Sequence, residues 1–179
     1  MRWDLTKRKG WFRKAHGEQD DGEKEIAGGP DHPDDAGGYD EVHALWLTIR
    51  GFGIRALDDS REDIERFIQR NPTTSVVARA DGKIVGSILC GSDGRQGALY
   101  HVCVAKEYRR KGIGTRMVGF CMHQLRIMGI NKVALIAFTN NDAGNAFWNQ
   151  IGWERKTNVN YYEFVLNEKN ITRFIGEEE

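Results

Sequence analysis

The chain has 179 residues with 26 Lys and Arg and 26 Asp and Glu, so its formal net charge at pH 7 is zero. That length predicts one domain with a hydrophobic core, and a neutral chain has no global basic field that would hold nucleic acid or an anionic membrane by charge alone. The three cysteines are widely spaced among apolar residues, which argues against a disulfide framework or a metal site. The sequence has neither a run long enough for a membrane span nor a secretory h-region, and we expect a cytoplasmic protein.

The first part of the chain, residues 1–38, has a basic start, an acidic stretch and a final segment of Gly, Asp and Pro. No helical or strand period runs through it, which predicts a disordered or irregular extension. A short amphipathic surface-binding helix carrying Trp3, Trp11 and Phe12 is the alternative. Residues 39–179 are then expected to form a single domain.

Helical spacing begins at Tyr39 and predicts a first amphipathic helix. Ser60 is expected to cap a second helix, which Asn71-Pro72 closes. Two β-rich runs, Ser75–Ala80 and Lys83–Cys90, flank the turn dipeptide Asp81-Gly82 and predict an antiparallel hairpin.

The second half alternates between strands and helices. Ala98–Ala105 is predicted to be a central strand, and Thr115–Met128 a helix that ends at Gly129. The predicted elements that follow are a strand, a helix and a last strand: Lys132–Phe138, Asp142–Gln150 and Tyr161–Leu166. This order indicates an α/β (α+β) fold with a mixed sheet and helices on its faces.

The segment Val102–Thr115 carries the strongest functional signal, because a strand there passes through a basic, glycine-spaced turn into a helix. The first four N–H groups of a helix have no intrahelical acceptor, and the helix dipole adds positive potential at that end. Gly112 and Gly114 lack a Cβ, which allows left-handed torsions and close approach of a ligand. Three cations, Arg109, Arg110 and Lys111, lie beside the same turn, and the segment therefore predicts a pyrophosphate site.

Two other phosphate motifs do not match this turn. The third glycine of a dinucleotide fingerprint would fall on Met117, and the spacing of a nucleotide P-loop is absent. The basic run taken alone is also compatible with a solvated face or a nucleic-acid patch.

The pattern Arg109-x-x-Gly112-x-Gly114, with Val-x-Val before it at residues 102–104 and an aromatic at Tyr108, resembles the acetyl-CoA signature of the GNAT superfamily of N-acetyltransferases. A second block agrees with a family pattern of Asn, Ala, Tyr and Gly-Phe, here at Asn141, Ala143, Trp148, Gly152 and Trp153. The resemblance extends from about Tyr39 to Leu166. It implies a GNAT-like fold with a mixed, mostly antiparallel twisted sheet and helices on both faces.

The resemblance also implies a set of contacts with acetyl-CoA. Two neighbouring strands would diverge and leave a gap for the pantetheine arm, and the N–H of Val102 would face the thioester oxygen. Arg110 through Thr115 would hold the pyrophosphate. The residues expected to bind acetyl-CoA are Val102, Cys103, Val104, Arg109, Arg110, Lys111, Gly112, Ile113, Gly114, Thr115, Asn141 and Trp148. Asn141 could also serve as a plain helix cap.

The implied chemistry is direct attack of an amine on the thioester in a ternary complex, so Cys103 is not expected to be a nucleophile. Strict alternation along the strand sends His101 and Cys103 to one face and Tyr100 to the other with Val102 and Val104. The resemblance implies that the face of Tyr100, Val102 and Val104 points toward the acceptor, which makes Tyr100 the candidate catalytic residue, with packing as the alternative.

One departure from the family concerns Trp148, which stands where many members have a tyrosine that protonates the departing thiolate. An indole N–H is no practical acid. Three outcomes stay open: unassisted departure of the thiolate, replacement by Tyr161 or Tyr162, or a domain that only binds the cofactor.

The predicted function is transfer of an acetyl group from acetyl-CoA to a primary amine. Small molecules, peptide N-termini and lysine fit equally as acceptors, which would be selected by Arg50–Ser60 and by Asn158–Tyr162. A non-catalytic acyl-CoA-binding module and a nucleic-acid-binding domain are the alternatives. No nucleic-acid or membrane partner and no metal are expected, and the sequence leaves open whether the chain forms a homodimer.

Overall fold

The computed structural model describes residues 38–176. Apart from Gly38, the predicted N-terminal extension lies outside these residues. The helices are α1 (Tyr39–Trp46), α2 (Arg61–Arg70), α3 (Ile113–Ile127) and α4 (Asp142–Gln150). The strands are β1 (Gly53–Arg55), β2 (Val76–Ala80), β3 (Lys83–Ser92), β4 (Gly97–Val104), β5 (Val133–Leu135) and β6 (Thr172–Phe174).

The main sheet has four strands in the order β2-β3-β4-β5. β2, β3 and β4 pair antiparallel, and β5 pairs parallel with β4. The predicted hairpin is confirmed, and both residues of its turn have positive φ, 48° at Asp81 and 79° at Gly82. Such torsions match the twist of the flanking strands.

The helix ends follow the sequence signals. The Oγ of Ser60 accepts a hydrogen bond from the N–H of Asp63 at 3.3 Å and caps α2. Asn141 caps α4 in the same way through Gly144. Gly129, with φ of 77°, follows the end of α3, as expected for a left-handed helix terminus. None of the helices in the described part of the chain is long and apolar enough to cross a membrane.

Helices cover both faces of the sheet, and each face has its own hydrophobic core. The first, here called the α3 core, includes Val76, Val85, Ile88, Cys90, Leu99, Met117, Cys121 and Leu125. The second, the α1 core, includes Val42, Trp46, Ile64, Ile68, Val77, Ile84, Leu89 and Cys103. The predicted α/β class with helices on both faces is thus confirmed.

The last predicted strand is wrong. Tyr161–Leu166 forms no strand, and its apolar side chains are exposed, up to 94% at Leu166. The closing strand is instead Thr172–Phe174, which pairs antiparallel with Gly53–Arg55 in a separate two-stranded sheet. A β-rich composition favours a strand only where a partner edge is available. β5 forms a strand over only three residues, not over the predicted Lys132–Phe138. It therefore offers Tyr161–Leu166 no strand edge with which to pair.

Candidate functional site

The junction between β4 and α3 is a tight turn held by its own main chain. The N–H of Ala105 donates to the carbonyl of Val85 at 2.8 Å, and a single 3-10 turn, Lys106–Tyr108, follows. Arg110 has φ of 60° and Gly112 has φ of 74°, so the chain takes two left-handed residues directly before α3 begins. A left-handed torsion at Gly112 is what the sequence predicted, and glycine adopts it without a Cβ penalty.

Six consecutive main-chain N–H groups of this turn have no acceptor among the described residues. They belong to Arg110, Lys111, Gly112, Ile113, Gly114 and Thr115. The first bonded amide of the helix is that of Arg116, which donates to the carbonyl of Gly112 at 3.1 Å. Unbonded amides at a helix start, together with the helix dipole, create a local site for an anion.

The three basic side chains of the turn differ in what they do. The Nε of Arg109 donates to the carbonyl of Val104 at 2.9 Å, which ties the turn to the end of β4. The Nζ of Lys111 donates to the carbonyl of Glu107 at 3.0 Å and lies 5.1 Å from the ring centre of Tyr108. Arg110 is exposed and has no bonded partner in the described part of the chain, so its guanidinium is available to a ligand.

Gly114 has a different role from the one its spacing suggested. It lies inside α3 without a positive φ, so the expected left-handed torsion is wrong at this position. A Cβ at Gly114 would lie 3.2 Å from the Cζ of Phe147, which is tighter than ordinary packing. The missing side chain therefore allows close approach of α3 and α4.

β4 and β5 separate beside the turn. They pair only from Gly97 to Leu99 on β4, and Tyr100–Val104 has no partner on β5. Because the N–H groups of a strand alternate in direction and that of Ala105 bonds to β3, the N–H of Val104 points to the side of this gap. The divergence implied by the resemblance is present, and it leaves the edge of β4 without a partner on β5, as an extended ligand requires.

α4 places the second sequence block on the same side of the sheet. The Oδ1 of Asn141 accepts from Gly144 at 3.0 Å, which leaves the Nδ2 as a donor without an acceptor among the described residues. Trp148 is half-buried, with ring centres 5.0 Å from Phe147 and 4.9 Å from Trp153. It packs against the α3 core, as do Val102 and Val104.

A β-bulge in β4 overturns the expected position of Tyr100. Ser87 pairs with Cys103 and Leu89 pairs with Tyr100, so two residues of β4 oppose a single residue of β3. Tyr100 consequently contacts Phe67 of α2 at 6.0 Å between ring centres and shares its face with His101. The alternation that grouped it with Val102 and Val104 fails at the bulge.

His101 lies in this bulge with φ of 47° and bonds to an acid that the sequence interpretation missed as a partner. Its Nε2 lies 2.6 Å from the Oδ1 of Asp59, whose side chain is 6% exposed. The other carboxylate oxygen accepts from the N–H of Arg55 at 2.7 Å, and the hydroxyl of Tyr39 donates to the carbonyl of Asp59. The only sequence signal for Asp59 was its place in the connection expected to select the acceptor.

The two tyrosines proposed to replace the missing acid are both exposed. The hydroxyl of Tyr161 donates to Glu163 at 2.8 Å, and this bond raises the pKa of the phenol and keeps it protonated. Glu163 also lies 3.8 Å from the guanidinium of Arg55, so this part of the chain faces the connection between α1 and α2.

Comparison with known proteins identifies the family of this chain. Residues 40–153 match the model of the acetyltransferase (GNAT) family. An acetyltransferase of Sodalis glossinidius is 32% identical over 121 residues, 68% of this chain and 84% of that protein. The structure of AAC(6')-Iy with a bisubstrate analogue superposes with a TM-score of 0.56 at 17% identity, over 72% of this chain and 92% of that one. The PaiA N-acetyltransferase of Thermoplasma acidophilum, solved with coenzyme A, gives a TM-score of 0.52 at 21% identity over 55% and 65% of the two chains. The chain therefore belongs to the acetyltransferase (GNAT) family of enzymes.

Proposed function

We propose that this enzyme transfers an acetyl group from acetyl-CoA to a primary amine by direct attack in a ternary complex. The observation that carries the proposal is the run of six unbonded main-chain amides from Arg110 to Thr115, beside the gap between β4 and β5. A diphosphate needs several converging donors, and an extended pantetheine arm needs an unpaired strand edge. The junction offers both.

The pyrophosphate, the pantetheine arm and the thioester of acetyl-CoA each have residues suited to bind them. The amides of Arg110–Thr115 and the free guanidinium of Arg110 would hold the pyrophosphate, with Arg109 and Lys111 shaping the turn. Val102, Cys103 and Val104 would line the arm, with the Nδ2 of Asn141 as a further donor and Trp148 as an apolar wall. Acetyl-CoA when bound supplies the activated acyl group. The N–H of Val102 is suited to stabilise charge on the thioester oxygen.

The acceptor would enter from the face of α1 and α2, where the connection Arg50–Ser60 lies against Glu163. The bulge presents Tyr100 and His101 to the same face. Tyr100 is 48% exposed and in position to contact an amine on that face. The neighbour solved with a bisubstrate analogue of an aminoglycoside supports a small-molecule amine as the acceptor class. We further propose a cytoplasmic location, since all three cysteines are free thiols.

Calorimetry and a thiol-release assay test the proposal directly. We expect micromolar binding of acetyl-CoA, and release of CoA on addition of at least one amine from a panel of spermidine, kanamycin, lysine and a peptide with a free N-terminus. Absence of binding in the micromolar range would contradict the proposal. Binding without CoA release across the panel would favour the non-catalytic acyl-CoA-binding module.

Cys103 is expected to be dispensable for transfer. It is buried, and this burial raises the pKa of its thiol to about 11, so roughly one part in ten thousand is thiolate at pH 7. Cys103→Ala should keep the rate of CoA release within about threefold, and the native protein should react slowly with thiol reagents. Cys121→Ala on the other face is the matched control for the loss of a buried thiol. Selective loss of activity in Cys103→Ala, with acetyl-CoA affinity retained, would argue for a covalent step.

A further inference from the structure

The bulge in β4 is a fixed feature that presents His101 to the face of α1 and α2. The hydroxyl of Ser87 accepts from the indole N–H of Trp46 at 2.9 Å and lies 3.4 Å from the carbonyl of His101. The imidazole lies 4.4 Å from the ring centre of Trp46 and 5.4 Å from that of Phe52. Two aromatic contacts and a left-handed torsion therefore fix the position of this ring.

Asp59 determines which ring nitrogen carries the proton. Both of its oxygens act as acceptors, one from the N–H of Arg55 and the other facing the Nε2 of His101. An acceptor at 2.6 Å assigns the hydrogen of the neutral imidazole to Nε2, which leaves the lone pair on Nδ1. The carboxylate thus orients the base, as the third member of a catalytic triad does.

The Nδ1 of His101 has no hydrogen-bonding partner within residues 38–176. Every fully buried side-chain nitrogen or oxygen in the same range does have one. The Nδ1 therefore has accessible surface, next to the exposed Tyr100 on the proposed acceptor face. An oriented base with an unbonded and accessible lone pair is the arrangement that proton abstraction needs.

We propose that His101 is the general base that deprotonates the acceptor amine and that Asp59 is its positioning residue, an inference that rests on the proposed function. A primary amine with a pKa near 10.4 is almost fully protonated at pH 7 and has no lone pair for attack. The Nδ1 takes one proton from the ammonium group. The nitrogen then bonds to the acyl carbon, the carbon–sulfur bond breaks, and the second amine proton neutralises the CoA thiolate. The proton on His101 passes to solvent.

Among residues 38–176, Asp59 is the charged group that contacts His101 directly. Other ionisable groups on the neighbouring elements include Tyr39 and His43 on α1, Arg55 and Asp58 in the connection to α2, and Tyr100 and Cys103 on β4. Burial raises the pKa of Tyr39 and of Cys103, so both are neutral near pH 7. The guanidinium of Arg55 lies 3.4 Å from Asp58. Proton uptake therefore places an imidazolium against the carboxylate of Asp59.

The pH profile of His101→Gln tests the inference with acetyl-CoA and whichever of the four panel amines reacts fastest. In the wild type kcat/KM should rise with pH and then reach a plateau, because a base that acts on the amine must first lose its own proton. H101Q should be about a hundredfold slower at pH 7. Its residual rate should keep rising until the pH reaches the pKa of the amine used, since the variant accepts only amine that is already neutral. His123→Gln, at an exposed position on α3, is the matched control and should follow the wild type.

A second readout does not depend on turnover. Nitrogen NMR of the imidazole rings, assigned by comparison with H101Q, should show the proton of His101 on Nε2, and Asp59→Asn should remove that preference. D59N should also lower kcat/KM by at least about tenfold. Acetyl-CoA affinity should change by less than about twofold in both variants, which confirms an intact fold and cofactor site.

The possible results distinguish a failure of the base assignment from a failure of the proposed function. If the wild type transfers acetyl groups and H101Q loses rate equally at every pH, His101 is structural and the base assignment is overturned while the proposed function stands. A proton on Nδ1 of the wild-type ring would overturn it as well. If the wild type binds acetyl-CoA but acetylates none of the panel amines, the proposed function fails and the base assignment fails with it.

Discussion

Substitution of Gly112 by aspartate is expected to weaken acetyl-CoA binding by at least about a hundredfold, which corresponds to about 2.7 kcal/mol. Gly112 has φ of 74°, a torsion that costs residues with a Cβ roughly 1–2 kcal/mol. There is room for the Cβ itself, because its nearest neighbour would be the Nη1 of Arg116 at 3.9 Å. The loss therefore comes from the strained turn and from a carboxylate that competes with the pyrophosphate for the free amides. Calorimetric titration with acetyl-CoA measures it.

The chain offers a matched control for this experiment in Gly119. It is exposed on the same helix, and a Cβ there would meet nothing within 4 Å. Gly119→Asp introduces the same charge two turns away from the site and should leave the affinity within about twofold. Gly112→Ala separates strain from charge and should cost about tenfold. Wild-type affinity in G112D would show that the pyrophosphate does not bind at this junction.

The junction between β4 and α3 could be predicted from sequence because its conformation depends on residues that are close together in the chain. A left-handed glycine before a helix, a cap at Asn141 and a hairpin at Asp81-Gly82 each depend on residues within a few positions of one another. Periodicity and turn chemistry report such features directly. For the same reason the class of the fold followed from the order of its elements.

The acceptor side could not be predicted in the same way, because contacts distant in sequence determine it. The bulge that turns Tyr100 depends on the register between β3 and β4. A prediction from strict alternation assumes that no extra residue is inserted in either strand. The bond between His101 and Asp59 joins positions 42 residues apart. Tyr161–Leu166 has the composition of a strand, but no neighbouring edge accepts it. Composition indicates that a segment can form a strand, but the segment forms one only where a neighbouring strand edge is available.

Truncation of Trp46 is expected to lower the free energy of unfolding by about 3–5 kcal/mol, as large-to-small substitutions of buried aromatic residues do. Trp46 is fully buried where α1 crosses the sheet, its indole N–H donates to Ser87 at 2.9 Å, and its ring packs on His101. Trp46→Ala removes all three interactions at once. Since a domain of this size has only about 5–15 kcal/mol of stability, the variant should unfold at a markedly lower urea concentration.

Leu47, the residue that follows the end of α1, is the matched control. It is 47% exposed, so Leu47→Ala should change the free energy of unfolding by no more than about 0.5 kcal/mol. Trp46→Phe keeps most of the buried ring but loses the hydrogen bond to Ser87, and it should cost about 1–2 kcal/mol. Equal stability of Trp46→Ala and Leu47→Ala would mean that α1 is not packed as described. Because Trp46 also supports the ring of His101, Trp46→Phe should lower the transfer rate near pH 7 more than it lowers the affinity for acetyl-CoA.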